Sequence, residues 1–148
     1  MRAHGEPLTV PPYADDGGEE PEIAGVYLID PAGTPRRIGM TMGNEFSDHV
    51  LERRNYLYLA HSKLRNCAVG PELVVDPDFN DHHFKYAAHR RPGDLHVHFF
   101  GADAFSFGAG IALEPGDVMR VHFEGFGRPL CNPIELQRGP RLVTVQPV

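Results

Sequence analysis

The 148-residue sequence is poor in the residue types that mark secreted and membrane proteins. Its two cysteines, Cys67 and Cys131, are too few for a disulfide framework. The first residues contain neither the basic segment nor the apolar segment typical of a signal peptide. No apolar run approaches the ~20 residues that a membrane span requires. These absences predict a cytoplasmic protein that is not inserted in a membrane.

Basic residues are also scarce. The chain has 14 lysines and arginines against 20 acidic residues, and basic runs such as Arg90-Arg91 are short. Nucleic-acid binding generally needs clustered cations that neutralise phosphates. The composition therefore argues against a nucleic-acid partner.

Glycine and proline are abundant instead. The 16 glycines and 14 prolines make up about a fifth of the chain, which is high for a helical protein and favours a turn-rich β fold. We expect one mainly β (α+β) domain over residues 20–148. Residues 1–19 show no hydrophobic period and are predicted to form an extended N-terminal arm.

Local patterns predict the secondary-structure elements. Strands are expected at 22–30 and 37–42, joined as a hairpin by the turn residues 30–33. Helices are expected at 45–55, capped by Asn44 or Ser47, and at 78–91. Further strands are predicted at 68–75, 95–100, 117–124, 129–134 and 142–145.

Three glutamates form the first group with a chemical interpretation. Glu20 and Glu22 lie two residues apart in an extended segment, so their side chains point to one face. If the hairpin folds Glu45 back beside them, three carboxylates converge. Such a cluster repels itself unless a hard dication neutralises it, and oxygen ligands suit Mg²⁺ or Mn²⁺, with Ca²⁺ as an alternative. The competing interpretation is that these are solvated acids beside a loop.

Histidines form the second group. His96 and His98 alternate in a predicted strand, His122 follows in a later strand, and Asp103 lies between them. Two or three histidines with a carboxylate can bind a first-row metal, and the pattern is similar to the cupin family. The competing interpretation is that the histidines lie on the wetter face of a half-buried strand.

Lys63 is the third candidate, and it lies in a predicted loop that follows Tyr56 and Tyr58. It is one of only two lysines in the chain. Near a metal-bound keto acid, a lysine can hold a carboxylate or an enolate, or serve as an acid or base if its pKa is lowered. The alternative is an ordinary surface charge.

Five segments, in this order, resemble the fumarylacetoacetate hydrolase superfamily. They are Glu20-Pro21-Glu22, Gly43-Asn44-Glu45-Phe46-Ser47-Asp48, Ser62-Lys63-Leu64-Arg65, Val69-Gly70-Pro71-Glu72-Leu73 and Gly116-Asp117-Val118. The chain is further similar to the GguC-like proteins of sugar-acid catabolism, on the segments His96-Val97-His98-Phe99-Phe100-Gly101 and Glu124-Gly125-Phe126-Gly127.

The resemblance implies a mixed β-roll with one or two short helices, and a homodimer. It implies that Glu20, Glu22 and Glu45 bind Mg²⁺, and that Lys63 faces the substrate. Tyr56 and Tyr58 are expected to contact the substrate beside it. Glu45 stands where most of the superfamily has an aspartate.

The resemblance also implies an activity on a small-molecule 2-keto acid. We expect dehydration of a 2-keto-3-deoxy sugar acid, with His49 or Glu72 as the acid that releases the hydroxyl group. The nearest alternative is hydrolysis of a carbon–carbon bond in an acylpyruvate. Since the chain resembles a truncated, internally shortened C-terminal catalytic portion of the family, a non-catalytic remnant is a third hypothesis.

Overall fold

Strands dominate the fold, and short helices connect them. The computed structural model describes residues 1–75 and 90–139. The strands in these ranges are β1 (Leu8–Val10), β2 (Gly18–Ile29), β3 (Pro35–Ser47), β4 (Ala68–Val69), β5 (Leu95–Phe99), β6 (Val118–Val121) and β7 (Leu130–Leu136). The helices are α1 (His49–Arg54) and α2 (Leu59–Ser62), and 3₁₀ turns occur at Tyr56–Tyr58 and Phe107–Ala109. The predicted mainly β fold class with short helices is confirmed.

The long antiparallel hairpin of β2 and β3 organises the molecule. Its turn is closed by the Asp30 carboxylate, which accepts hydrogen bonds from the backbone N–H groups of Ala32 at 2.9 Å and Thr34 at 2.8 Å. Gly33 supplies the positive φ of 78° that the turn requires. The resulting register places Glu20 directly opposite Glu45.

The strands form two sheets around one core. The four-stranded sheet has the order β4-β3-β2-β5, and the three-stranded sheet has the order β1-β7-β6. Strand β1 runs parallel to β7, whereas the other pairings between these strands are antiparallel. The core takes side chains from both sheets: Leu8, Val10, Met42, Phe46, Ala68, Met119, Val121, Leu130 and Ile134.

The structure corrects the predicted helix at 45–55. Strand β3 continues through Ser47, and α1 begins only at His49. Asn44 and Phe46 are both fully buried, and this spacing of two residues is the period of a strand. Asp48, rather than Asn44 or Ser47, caps the helix by accepting a hydrogen bond from the Leu51 N–H at 2.9 Å.

The extended arm predicted for residues 1–19 is also different in the structure. Leu8 and Val10 belong to β1 and are buried in the core. Strand β2 already begins at Gly18. A three-residue strand has too few residues to show an alternating pattern, so its pairing with a distant strand leaves no local signal. The division of the chain at residue 20 stays a prediction.

The remaining predicted elements have mixed outcomes. Strands β5, β6 and β7 lie close to the predicted ranges, while the segment predicted at 68–75 contains β4 and a separate bridge between Met40 and Val74. The predicted strand at 142–145 and nearly all of the predicted helix at 78–91 lie outside the described residues. Within the described residues, no helix is long and apolar enough to cross a membrane.

Phe46 offers a test of this architecture because it is the largest fully buried side chain among the residues that the structure describes. Replacing it with alanine removes core contacts directly beside Glu45, and we expect Phe46→Ala to lower the free energy of unfolding by about 3–5 kcal/mol in urea titrations. Leu57→Ala is the control, because Leu57 is 79% exposed and should cost less than about 0.5 kcal/mol. Equal losses in the two variants would contradict the packing described here.

Candidate functional site

Three glutamate carboxylates converge on one face of the hairpin. Glu20 and Glu22 come from β2, and Glu45 comes from the position opposite Glu20 on β3. One oxygen from each carboxylate lies within 4.8 Å of the others. Glu20 and Glu22 are buried, with 9% and 3% of their surface exposed, and Glu45 is partly exposed. The residues predicted to bind a metal are therefore placed together as the hairpin argument required.

Lys63 lies against this cluster. Its Nζ is 2.8 and 2.7 Å from the two carboxylate oxygens of Glu20, and 2.9 Å from Oε2 of Glu45. The segment that carries Lys63 is held beside the end of β3, where Ser47 pairs with Lys63 and the Leu64 N–H donates to the Phe46 carbonyl. Two carboxylates thus share one ammonium group.

The electrostatics around Lys63 favour its charged form. Burial by itself lowers the pKa of Lys63, but the hydrogen bonds to Glu20 and Glu45 raise it by a larger amount. The pKa of Lys63 therefore lies above its ordinary value. The sequence left open a lysine with a lowered pKa that acts as an acid or base. The structure favours the other role, a permanent positive charge.

The pKa values of Glu20 and Glu22 are shifted in opposite directions, although the two carboxylates lie in one cluster. Burial raises the pKa of Glu20, yet contacts with His49, Lys63 and Ser47 lower it to about 2. The pKa of Glu22 is raised by burial and by the charges of Glu45 and Glu20, although the Gly101 N–H donates to its carboxylate. The cluster therefore holds more negative charge than one ammonium offsets.

His49 joins the carboxylate cluster from the first residue of α1. It is buried, and its Nε2 lies 3.4 Å from Oε1 of Glu20, while its Nδ1 lies 3.8 Å from Oδ2 of Asp16. Burial lowers the pKa of His49, but the two carboxylates raise it more, to about 9. Gly18 makes room for the ring, because a Cβ there would lie 2.6 Å from Nδ1 of His49. His49 is therefore an imidazolium at neutral pH.

Two phenylalanines hold the ring of His49. Phe105 and Phe107 stack on it with ring centroids at 4.8 and 5.3 Å. Their loop is fastened to β2 through Glu19, whose carboxylate accepts hydrogen bonds from the N–H of Ser106, at 2.7 Å, and from its hydroxyl group. The apolar rings shield one side of the imidazolium from water.

A groove of about 310 Å³ opens next to His49. It is also lined by Glu52, Arg53, Tyr56, Phe105 and Phe107. Tyr56 thus lies at the groove, and its contact with a substrate stays a prediction. Tyr58 is not among the lining residues in the described part of the chain; its ring meets His61 edge-on instead, with centroids 6.4 Å apart.

Glu52 connects the groove with the carboxylate cluster. Glu20, His49 and Glu52 form a second set whose ligand atoms lie within 4.8 Å of one another. Ser62 Oγ lies 3.3 Å from Oε2 of Glu52 and donates to the Leu59 carbonyl at 2.7 Å. The spacing of three residues between His49 and Glu52 on α1 is a signal that sequence reasoning missed.

Asp16, Phe105 and Phe107 are also missing from the sequence-based site. Asp16 lies 33 positions before His49 in the sequence, and the proximity of the His49 ring lowers the pKa of the Asp16 carboxyl. No spacing rule links these residues, because the contacts form only when the loop before β2 and the loop at 101–107 close over α1. Tertiary structure alone brings them together.

The histidine alternative does not form a metal site in the structure. Among the described residues, only the two glutamate-containing sets bring three or more ligand atoms together. His96 and His98 stack on each other with centroids 5.8 Å apart, and His98 meets Tyr27 edge-on. His122 Nε2 lies 3.1 Å from the Phe126 carbonyl, beside the other sheet. The cupin-like interpretation is therefore not supported.

Glu72, the second candidate acid, has a different environment from His49. Its Oε2 accepts a hydrogen bond from the Gly127 N–H at 2.8 Å. It belongs to neither of the carboxylate sets found among the described residues. The structure therefore favours His49 over Glu72 as a proton donor at the groove.

Comparisons with known proteins bear on the fold. No protein-family model matches the sequence, and a search of curated proteins found no match. The solved structure of a 2-keto-3-deoxy-D-arabinonate dehydratase complexed with magnesium and 2,5-dioxopentanoate is similar, with a TM-score of 0.68 and 22% identity over 93% of this chain and 59% of that chain.

Two isomerase structures are similar as well. A 5-carboxymethyl-2-hydroxymuconate delta-isomerase from Mycobacterium smegmatis has a TM-score of 0.65 and 22% identity over 93% of this chain and 66% of that chain. A 2-hydroxyhepta-2,4-diene-1,7-dioate isomerase from Mycobacterium marinum has a TM-score of 0.64 and 22% identity over 91% of this chain and 65% of that chain.

These similarities settle the architecture. The chain spans 59% to 66% of the length of the three solved structures. All three are members of the superfamily that the sequence motifs resemble, so the resemblance is confirmed at the level of the fold. The chain has the fold of the fumarylacetoacetate hydrolase superfamily.

Proposed function

We propose that this protein is a divalent-metal-dependent enzyme that acts on a 2-keto acid, and that it dehydrates a 2-keto-3-deoxy sugar acid. The observation that carries the proposal is the convergence of Glu20, Glu22 and Glu45 within 4.8 Å. Its fold is shared with a dehydratase complexed with magnesium and with isomerases of unsaturated acids. A cytoplasmic location and a homodimer are part of the proposal and rest on the sequence.

The three carboxylates fit a hard divalent cation. Their donors are all oxygens. The pKa of Glu22 is raised first by burial and then by the charges of Glu45 and Glu20, and a dication would offset this repulsion between the carboxylates. Glu20, Glu22 and Glu45 would hold the ion. When bound, Mg²⁺ or Mn²⁺ supplies Lewis acidity toward a carbonyl group.

Lys63 supports the proposed reaction by its charge. Its ammonium group lies within 2.9 Å of carboxylates from both strands of the hairpin, and in this proposal it also contacts the keto acid bound at the cluster. Because its pKa is raised, Lys63 remains protonated and stabilises negative charge that develops on the substrate. An enolate carries more charge at this position than the keto form does, so the contribution is larger in the transition state.

His49 and Glu52 supply the proton transfers in this proposal. Both side chains line the groove and both lie within 4.8 Å of a Glu20 oxygen. The Glu52 carboxylate accepts a proton from C3 of the substrate. The His49 imidazolium donates an N–H proton to the C4 hydroxyl group, which then leaves as water. Asp16 keeps the imidazole oriented, and Phe105 and Phe107 limit the access of bulk water.

The metal proposal predicts a stabilisation that depends on the glutamates. At a concentration one hundred times its Kd, Mg²⁺ or Mn²⁺ should stabilise the protein by about 2.7 kcal/mol, which is roughly 5–10 °C in Tm. The shift should disappear in the double variant Glu20→Gln with Glu22→Gln. It should persist in Glu114→Gln with Glu124→Gln, since both of these glutamates are exposed. Equal shifts in the two double variants would refute the assignment of the ligands.

The catalytic proposal predicts that Lys63→Met lowers kcat by about 10²- to 10³-fold and changes KM much less. The assay panel should contain 2-keto-3-deoxy sugar acids, acylpyruvates and unsaturated dicarboxylic acids, all with Mg²⁺. Arg128→Met removes an exposed cation elsewhere and should keep the wild-type rate within about twofold.

The outcome of this panel separates the alternatives. Turnover of acylpyruvates alone would replace dehydration by carbon–carbon hydrolysis, and turnover of the dicarboxylic acids alone would indicate an isomerase. A wild-type protein that turns over no member of the panel would support the non-catalytic hypothesis. An active wild type matched by Lys63→Met would show that Lys63 is an ordinary surface charge.

A further inference from the structure

A second and larger cavity lies beside the parallel pairing of β1 with β7. Its volume is about 530 Å³, within the range typical of small-molecule sites, and it shares no lining residue with the groove at His49. Three arginines, Arg2, Arg65 and Arg138, line it together with Glu135. No step of the proposed reaction uses this cavity.

The three arginines reach the cavity from segments that are far apart in the sequence and fixed in the fold. The Arg2 N–H donates to the Cys67 carbonyl at 2.7 Å, beside β4. Arg65 precedes Asn66, whose side-chain amide makes hydrogen bonds of 2.7 and 3.0 Å with the N–H and carbonyl of Thr9 on β1. Arg138 follows Gln137, whose N–H donates to the Val10 carbonyl at 2.9 Å. The backbone thus holds the three side chains around one space.

The charges in this cavity are not balanced within the described residues. Elsewhere in the described residues some arginines have carboxylate partners, since Arg36 pairs with Asp30 and Arg54 pairs with Asp15 at 2.7 Å. In the described part of the chain, none of the three cavity arginines forms an ion pair, including with Glu135. Three positive charges against one negative charge leave an excess of two.

Guanidinium groups are suited to one class of ligand. Their planar donor pairs match carboxylate and phosphate oxygens, and they retain their charge at every physiological pH. The ring of Tyr13 holds Arg65 in place, with the guanidinium carbon 5.3 Å from the ring centroid. We propose that this cavity binds a small anion that carries two or more charges on phosphate or carboxylate oxygens.

Calorimetric titration of the metal-free protein at constant ionic strength tests this site, with inorganic phosphate and citrate as probes. We expect saturable binding of at least one probe, with a Kd near or below about 1 mM. The double variant Arg2→Gln with Arg138→Gln should weaken binding at least tenfold. The matched control Arg120→Gln with Arg128→Gln removes the same charge from exposed positions outside the cavity and should stay within about twofold.

Two further measurements locate the binding. Lys63→Met removes the cation of the carboxylate cluster and should leave probe binding unchanged, which separates this site from the proposed active site. The single variant Arg138→Gln, two residues beyond β7, gives an independent reading if the double variant does not melt like the wild type.

A preference for phosphate identifies a phosphorylated ligand, and a preference for citrate identifies a polycarboxylate. Absence of saturable binding, equal weakening in the control pair, or loss of binding in Lys63→Met would overturn the proposal.

Discussion

Repulsion among three carboxylates is the interaction around which this structure is arranged. The register of the β2–β3 hairpin places Glu20 opposite Glu45 and puts Glu22 on the same face. Two unit charges 4 Å apart repel by about 4 kcal/mol at an effective dielectric constant of 20. The fold keeps the glutamates together by bringing positive groups and N–H donors to them: Lys63, the His49 imidazolium and the Gly101 N–H.

The support for this cluster comes from the opposite face of the same strand. Asn44 and Phe46 flank Glu45 and are both fully buried. The side-chain oxygen Oδ1 of Asn44 accepts a hydrogen bond from the Glu20 N–H at 3.3 Å, and its side-chain nitrogen Nδ2 lies 3.8 Å from the Met119 sulfur on β6. The position of Glu45 is therefore set by packing between the two sheets. Since Phe46 is the next residue in the chain, a substitution of Phe46 that shifts the backbone also shifts Glu45.

The sequence predicted the features that depend on short-range patterns. The alternation of Glu20 and Glu22 and the turn at 30–33 follow from strand periodicity and turn chemistry, and both are present. The return of Glu45 was only a condition of the metal-site hypothesis, and the register of the hairpin meets it. The predicted helix at 45–55 was wrong at its start. The apolar residues in 46–51 fit a helical spacing, but Asn44 and Phe46 also fit the two-residue period of a strand, and their burial in the core selects the strand. The surroundings of His49 were not predictable, since Asp16 and Phe105 approach it only in the folded chain.

The parallel pairing of β1 with β7 has a consequence for how the chain folds. The hairpin of β2 and β3 joins neighbouring segments, so it can form early, whereas the pairing of Leu8 with Ile134 joins residues from nearly opposite ends of the described chain. Bringing such distant residues together costs more loop-closure entropy than joining neighbouring segments, and topologies rich in these contacts fold slowly. Because Leu8 and Val10 of β1 are covered only when β7 is in place, the three-stranded sheet can be completed only after β7 has left the ribosome.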